Sequence, residues 1–151
     1  MSEETFAAAL ENRILLFDGA MGTEIQRYDP KSEDFPDSKD GFNDGLSITK
    51  PDWIKEIHRK YLTAGADCIE TNTFGSNKIK LDEYGFGSQT VQINQKSAEI
   101  ARSVCNEFTD RQRFVIGSMA LLVICLVQMM LILVRCLCLK LEMHLSYKLR
   151  D

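Results

Sequence analysis

The sequence predicts an α/β fold built on parallel strands joined by helical crossovers. Three observations carry that expectation. Short apolar, partly β-branched runs recur at residues 14–17 (ILLF), 66–74 (ADCIETNTF) and 113–118 (RFVIGS). Stretches with a helical period lie between them. Each run gives way to a loop rich in glycine or polar side chains. The order strand, helix, strand, helix, strand implies parallel neighbours with right-handed crossovers. The three strands are therefore expected side by side, with both long helices on one face. Three strands cannot cover both faces of a parallel sheet or close its edges, and a closed eight-fold barrel takes about 250 residues. Residues 1–118 read as the start of something larger.

Each element has its own local reason. Residues 14–17 form a short apolar run stopped by Asp18-Gly19, the pattern of a strand buried on both faces. Residues 27–46 read as a long loop, punctuated by Asp29-Pro30, Phe35-Pro36-Asp37 and Asp40-Gly41. Thr49-Lys50-Pro51-Asp52 fits a capping box with Asp in place of Glu. Behind it, Ile54, Ile57, Tyr61 and Leu62 share one helical face, and Gly65 is a natural stop. His58 reads as solvated, off that face. Residues 68–73 form the second strand, followed by a short helix at 78–84. A long helix spans about residues 89–108, with Ile93, Ser97, Ile100, Ala101, Val104 and Phe108 on one side. Residues 114–117 form the third strand.

Composition divides the chain near Ser118. All nine glycines and all three prolines lie in residues 1–117. Residues 1–118 carry a net charge of −6 and the remaining 33 carry +2. From Met119 to Leu139, 19 of 21 residues are apolar, enough by length to span a bilayer as a helix. The expected organisation is an N-terminal region, 1–118, and an apolar helical tail, 119–151, starting close to Ser118. The tail reads as a shift of reading frame, with a membrane anchor and a soluble helix as alternatives. An overall charge of −4 argues against a nucleic-acid partner. Five cysteines, an odd number, and an acidic start lacking a secretory pattern point to a reducing, cytoplasmic setting. Cys136, Cys138 and His144 make a poor metal set, because helical positions two apart point about 200° from one another.

In parallel α/β folds, function gathers at the carboxyl ends of the strands. Those ends here are Asp18-Gly19-Ala20-Met21-Gly22-Thr23, Glu70-Thr71-Asn72-Thr73-Phe74 and Gly117-Ser118. The glycine pair permits close backbone approach to a small polar ligand, or simply makes a tight turn. By the period of two, Cys68, Glu70 and Asn72 share a face. A carboxylate and a carboxamide there suit the ammonium and carboxylate of an amino acid, or brace the loop.

Three segments, ILLFDGAMGTEIQ (14–26), TKPDWIKEIHRKY (49–61) and AGADCIETNTFGSN (64–77), together resemble the N-terminal end of the homocysteine S-methyltransferase family, most closely its cobalamin-dependent branch. The resemblance covers about residues 10–118. It implies a partial TIM (β/α)8 barrel holding about the first three strands. It also implies that Asp18, Gly19, Ala20, Met21, Glu70, Asn72 and Thr73 lie near homocysteine, and that Asn43 occupies the family's asparagine position before the first long helix.

The family's chemistry, by the same resemblance, is methyl transfer to homocysteine to give methionine. Zinc held by three cysteine thiolates binds the sulfur as a thiolate, and methylcobalamin is the methyl donor in the branch most resembled. The family's later Gly-Gly-Cys-Cys-Gly stretch is absent here, so no zinc ligand is assigned and the chain alone is expected to be inactive. The alternative reading is a non-enzymatic protein attached to a membrane through 119–139 and carrying a partial barrel.

Overall fold

The computed structural model describes residues 4–120. The described residues up to Met119 form one compact unit. Six helices, two strands and several single 3-10 turns make it up: α1 (Phe6–Asn12), α2 (Met21–Gln26), α3 (Leu46–Thr49), α4 (Pro51–Thr63), β1 (Cys68–Glu70), α5 (Lys78–Tyr84), α6 (Thr90–Cys105) and β2 (Phe114–Ile116). The expected tail helix and the Cys136, Cys138 and His144 group lie outside the described residues. Among the described residues, no helix is long and apolar enough to cross a membrane.

The sheet is parallel, with Cys68 opposite Phe114, Ile69 opposite Val115 and Glu70 opposite Ile116. Phe17 joins the other side of β1 through a single parallel bridge to Cys68. The expected order of three neighbours is therefore present. The first of them is less than a strand, however. Leu16 C=O accepts the N–H groups of Asp67 and Cys68, and Asp18 N–H donates to Cys68 C=O. Burial on both faces is overturned: Ile14, Leu16 and Phe17 are 86%, 57% and 47% exposed. With a ladder on one side only, a four-residue run has little to hold it extended.

Helices α4 and α6 pack on the Ile69 side of the sheet. Leu62 of α4 and Ala101 and Val104 of α6 cluster with Ile69. Ile54, Ile57, Ile93 and Ile100 continue that contact into the main core, with Phe35, Phe42 and Leu46. The opposite side of β1 and β2 is partly covered by α1, where Ala9, Cys68 and Phe114 meet. Phe6 sets its ring edge-on to Phe114 at 5.4 Å. Sequence patterning does not identify α1, although Thr5 caps it by accepting Ala8 N–H.

Other expectations change in detail. The stretch 27–46 is no plain loop: it holds three 3-10 turns and leads into α3. Phe42, fully buried, stacks on Tyr84 at 4.7 Å and ties this stretch to α5. Thr49 does not cap α4: it closes α3, and Lys50 precedes α4 without a side-chain cap. Gly65, at φ +109°, follows the end of α4 as expected. β1 stops at Glu70 rather than Thr73, because Thr73 N–H turns back to Thr71 C=O.

His58 is the clearest correction. It is fully buried, and neither ring nitrogen has a hydrogen-bond partner. Positions 54, 58 and 62 fall at i, i+4 and i+8, so His58 lies within the apolar stripe and not beside it. Burial holds its pKa down to about 4.

Candidate functional site

The strand ends carry a dense polar arrangement. Asp18 follows the Phe17 bridge, and its Oδ2 accepts the backbone N–H of Glu70 at 3.0 Å. Burial raises its pKa to about 6; the Glu70 N–H opposes the shift and the Glu70 charge reinforces it. Glu70 itself is exposed, and its Oε2 accepts the Ser118 hydroxyl at 2.8 Å. Two carboxylates from different segments thus converge where β1 ends.

Beside them, Ser118 is held by two threonines. Its N–H donates to Thr71 Oγ1 at 3.1 Å, and its C=O accepts from Thr73 Oγ1 at 2.7 Å. The two hydroxyl oxygens lie 2.6 Å apart. A cavity of about 350 Å³ opens next to this group, lined in part by Thr71, Thr73, Asn94, Gly117 and Ser118.

The remaining expected residues divide. Asn72 turns away from Glu70 into the helical layer, so the shared face for Cys68, Glu70 and Asn72 does not extend past the strand. Its Nδ2 donates to Asn43 C=O at 2.8 Å and to Ser47 Oγ at 3.2 Å. Ser47, fully buried, lies 2.8 Å from the Ser97 hydroxyl of α6. That contact accounts for a serine on the apolar face of α6. Asn43 takes part through its backbone carbonyl. Gly19 lies against Tyr61, where a Cβ would stand 3.0 Å from the Tyr61 hydroxyl. That hydroxyl donates to Ala20 C=O at 3.2 Å. Met21 opens α2 and packs against the main core. Gly22 belongs to α2 and not to a loop.

Thr71, Ser118 and Tyr61 do not stand out as candidates in the sequence. The period of two places Thr71 on the wrong face, and only Ser118's position at a strand end marks it. At the opposite ends of the strands, Asp67 is nearly buried and accepts from Arg13, Arg111 and Leu16 N–H. Burial opposes its charge, but these donors outweigh it and hold its pKa near 2.

Among the described residues, no group of three or more His, Cys, Asp or Glu side chains is placed to hold a metal ion. Cys68 and Cys105 are separate buried thiols; burial pushes both pKa values up, Cys105 to about 11. These residues do not fit a zinc centre.

A parallel sheet with helical crossovers and polar groups gathered at its carboxyl edge defines an α/β unit of the class in which ligand sites lie at the strand ends. The sequence profile of the homocysteine S-methyltransferase family matches residues 15–130, and the chain belongs to that family. The match runs past the composition break at Ser118. The chain is 44% identical over 112 residues to a methionine synthase of Mycobacterium tuberculosis (strain ATCC 25618 / H37Rv). It is 42% identical over 112 residues to one of Mycobacterium leprae (strain TN). Each alignment covers 73% of this chain and only 9% of the relative. The structure is similar to the homocysteine methyltransferase MmuM from Escherichia coli in its oxidized form, with TM-score 0.63 and 26% identity. That likeness covers 76% of this chain and 40% of the other. The metallated form of MmuM shares the fold, with TM-score 0.58 at 24% identity over 74% of this chain and 39% of the other.

Proposed function

We propose that this chain is part of a TIM-type homocysteine S-methyltransferase barrel and supplies the surface that holds the amino-acid end of homocysteine. The convergence of Asp18 and Glu70 at the end of β1 carries the reading. Two carboxylates suit an ammonium group. The backbone turn at Asp18–Met21 and the first N–H groups of α2 suit the carboxylate. Asn43, Asn72 and Thr73 hold the surrounding loops in register. MmuM is named for methyl transfer to homocysteine and the mycobacterial relatives for methionine synthesis, and the same substrate class is assigned here.

In the intact family domain, zinc would activate the homocysteine sulfur as a thiolate, and methylcobalamin would supply the methyl group in the branch most resembled. The described residues offer no such zinc site. Chemistry then requires surfaces other than these, and the chain alone binds without turning over. The acidic balance argues against a nucleic-acid partner, and the odd number of cysteines fits a reducing, cytoplasmic setting.

The test is a methyl-transfer assay on residues 1–151 with homocysteine, methylcobalamin and added zinc. The expected result is no methionine above background. Turnover abolished by Cys68→Ser would overturn the reading, because it would make a lone buried thiol the metal site.

A further inference from the structure

We infer that Thr71, Thr73 and Ser118 form a positioning ring that aims the Glu70 carboxylate at the ammonium group of an amino-acid ligand, an inference that rests on the substrate class proposed above. The proton order in the ring is fixed by its ends. Ser118 N–H can only donate, and it donates to Thr71 Oγ1. Ser118 C=O can only accept, and it accepts from Thr73 Oγ1. The single Thr73 proton is thereby used, so the 2.6 Å contact between the hydroxyls is Thr71 donating to Thr73. Both threonines are nearly buried, at 7% and 5% exposure. A buried ring with every donor placed resists rearrangement, because any rotation leaves a buried group unpaired.

The ring fixes the Ser118 backbone, and so the direction of its side chain. Ser118 Oγ then donates to Glu70 Oε2 at 2.8 Å. A carboxylate accepts on both oxygens, so Oε1 keeps its capacity for a ligand donor. Glu70 is exposed. Without Ser118 its side chain samples several rotamers, and a ligand must order it on binding. Ser118 therefore acts through Glu70 and need not touch the ligand.

A ring that only closed the loops would affect every ligand alike. The positioning role affects only ligands with an ammonium group. The experiment measures affinities by NMR titration of residues 1–151 with L-homocysteine and with 4-mercaptobutyrate, which has the same chain and thiol but no amine. Ser118→Ala is expected to weaken homocysteine by about tenfold and to leave 4-mercaptobutyrate within about twofold. Ser118→Thr, which keeps the hydroxyl, restores homocysteine binding. Glu70→Gln alters an exposed side chain, so it tests the same selectivity independently of folding, and it shows the same selective loss. Equal loss for both ligands, or no loss with Ser118→Ala and Glu70→Gln, overturns the inference while leaving the homocysteine reading intact. Failure of the unaltered chain to bind homocysteine overturns both.

Discussion

Asp18 and Glu70, fifty-two positions apart, meet through one hydrogen bond: Asp18 Oδ2 accepts Glu70 N–H at 3.0 Å. The contact fixes the first polar loop to the end of β1. It also leaves Asp18 partly buried beside a second carboxylate, which is why its pKa rises to about 6.

The sign of the Asp18 effect on stability follows from linkage. Between the unfolded value of 3.8 and about 6, the folded chain binds the extra proton. Asp18 therefore lowers stability as pH rises through that window, and the penalty is full above it. Asp18→Asn should remove this component from a pH series of urea-unfolding curves. Direct NMR titration of the Asp18 carboxyl should give a midpoint near 6.

His58 acts in the opposite direction. Its folded pKa, about 4, lies below the unfolded 6.5, so the unfolded state binds the proton first as pH falls. Stability is lost from pH 6.5 downward and the loss is complete below about 4. At 1.36 kcal/mol per pKa unit the full effect is roughly 3 kcal/mol. His58→Leu should flatten the unfolding midpoint across this window, as followed by circular dichroism.

Asp67 braces the start of the sheet against Arg13 and Arg111. Asp67→Ala leaves two guanidinium groups without their shared partner and should cost about 2–4 kcal/mol in urea unfolding at pH 7. In the parent chain the contribution is present above the unfolded 3.8 and is lost as pH falls toward 2.

Gly45 sits where a Cβ would come within 2.7 Å of the Phe42 ring and of Pro36. Both neighbours are buried in the core. Gly45→Ala should destabilise the chain by about 1–3 kcal/mol through overpacking, read as a lower midpoint with an unchanged slope in denaturant.

Much of this fold is legible in the sequence, and the failures have physical causes. The period of 3.6 finds α4 and α6 with their buried faces, and Gly85, left-handed at φ +86°, ends α5 where expected. Short elements held by tertiary contact leave no such periodic trace. α1 depends on Phe6 and Ala9 packing on β1 and β2, and the 27–46 stretch depends on Phe35 and Phe42. His58 reads as solvated only when polarity is weighed above its place in the i, i+4 series. At the site, Asp18 and Glu70 are legible as polar residues at strand ends. The turn at Thr71–Thr73 is not, because period-two alternation assumes a strand that continues, whereas β1 stops at Glu70.

The most direct test of homocysteine recognition is a ¹H–¹⁵N NMR titration of residues 1–151 with L-homocysteine, with backbone amides assigned. Recognition at the strand ends predicts saturable shifts at residues 18–21, at 70–73 and at Ser118, with the amides of Asp67 and Arg111 unmoved at the far end of the sheet. No shift up to the solubility limit of the amino acid, or saturable shifts confined to residues away from the ends of β1 and β2, would contradict it.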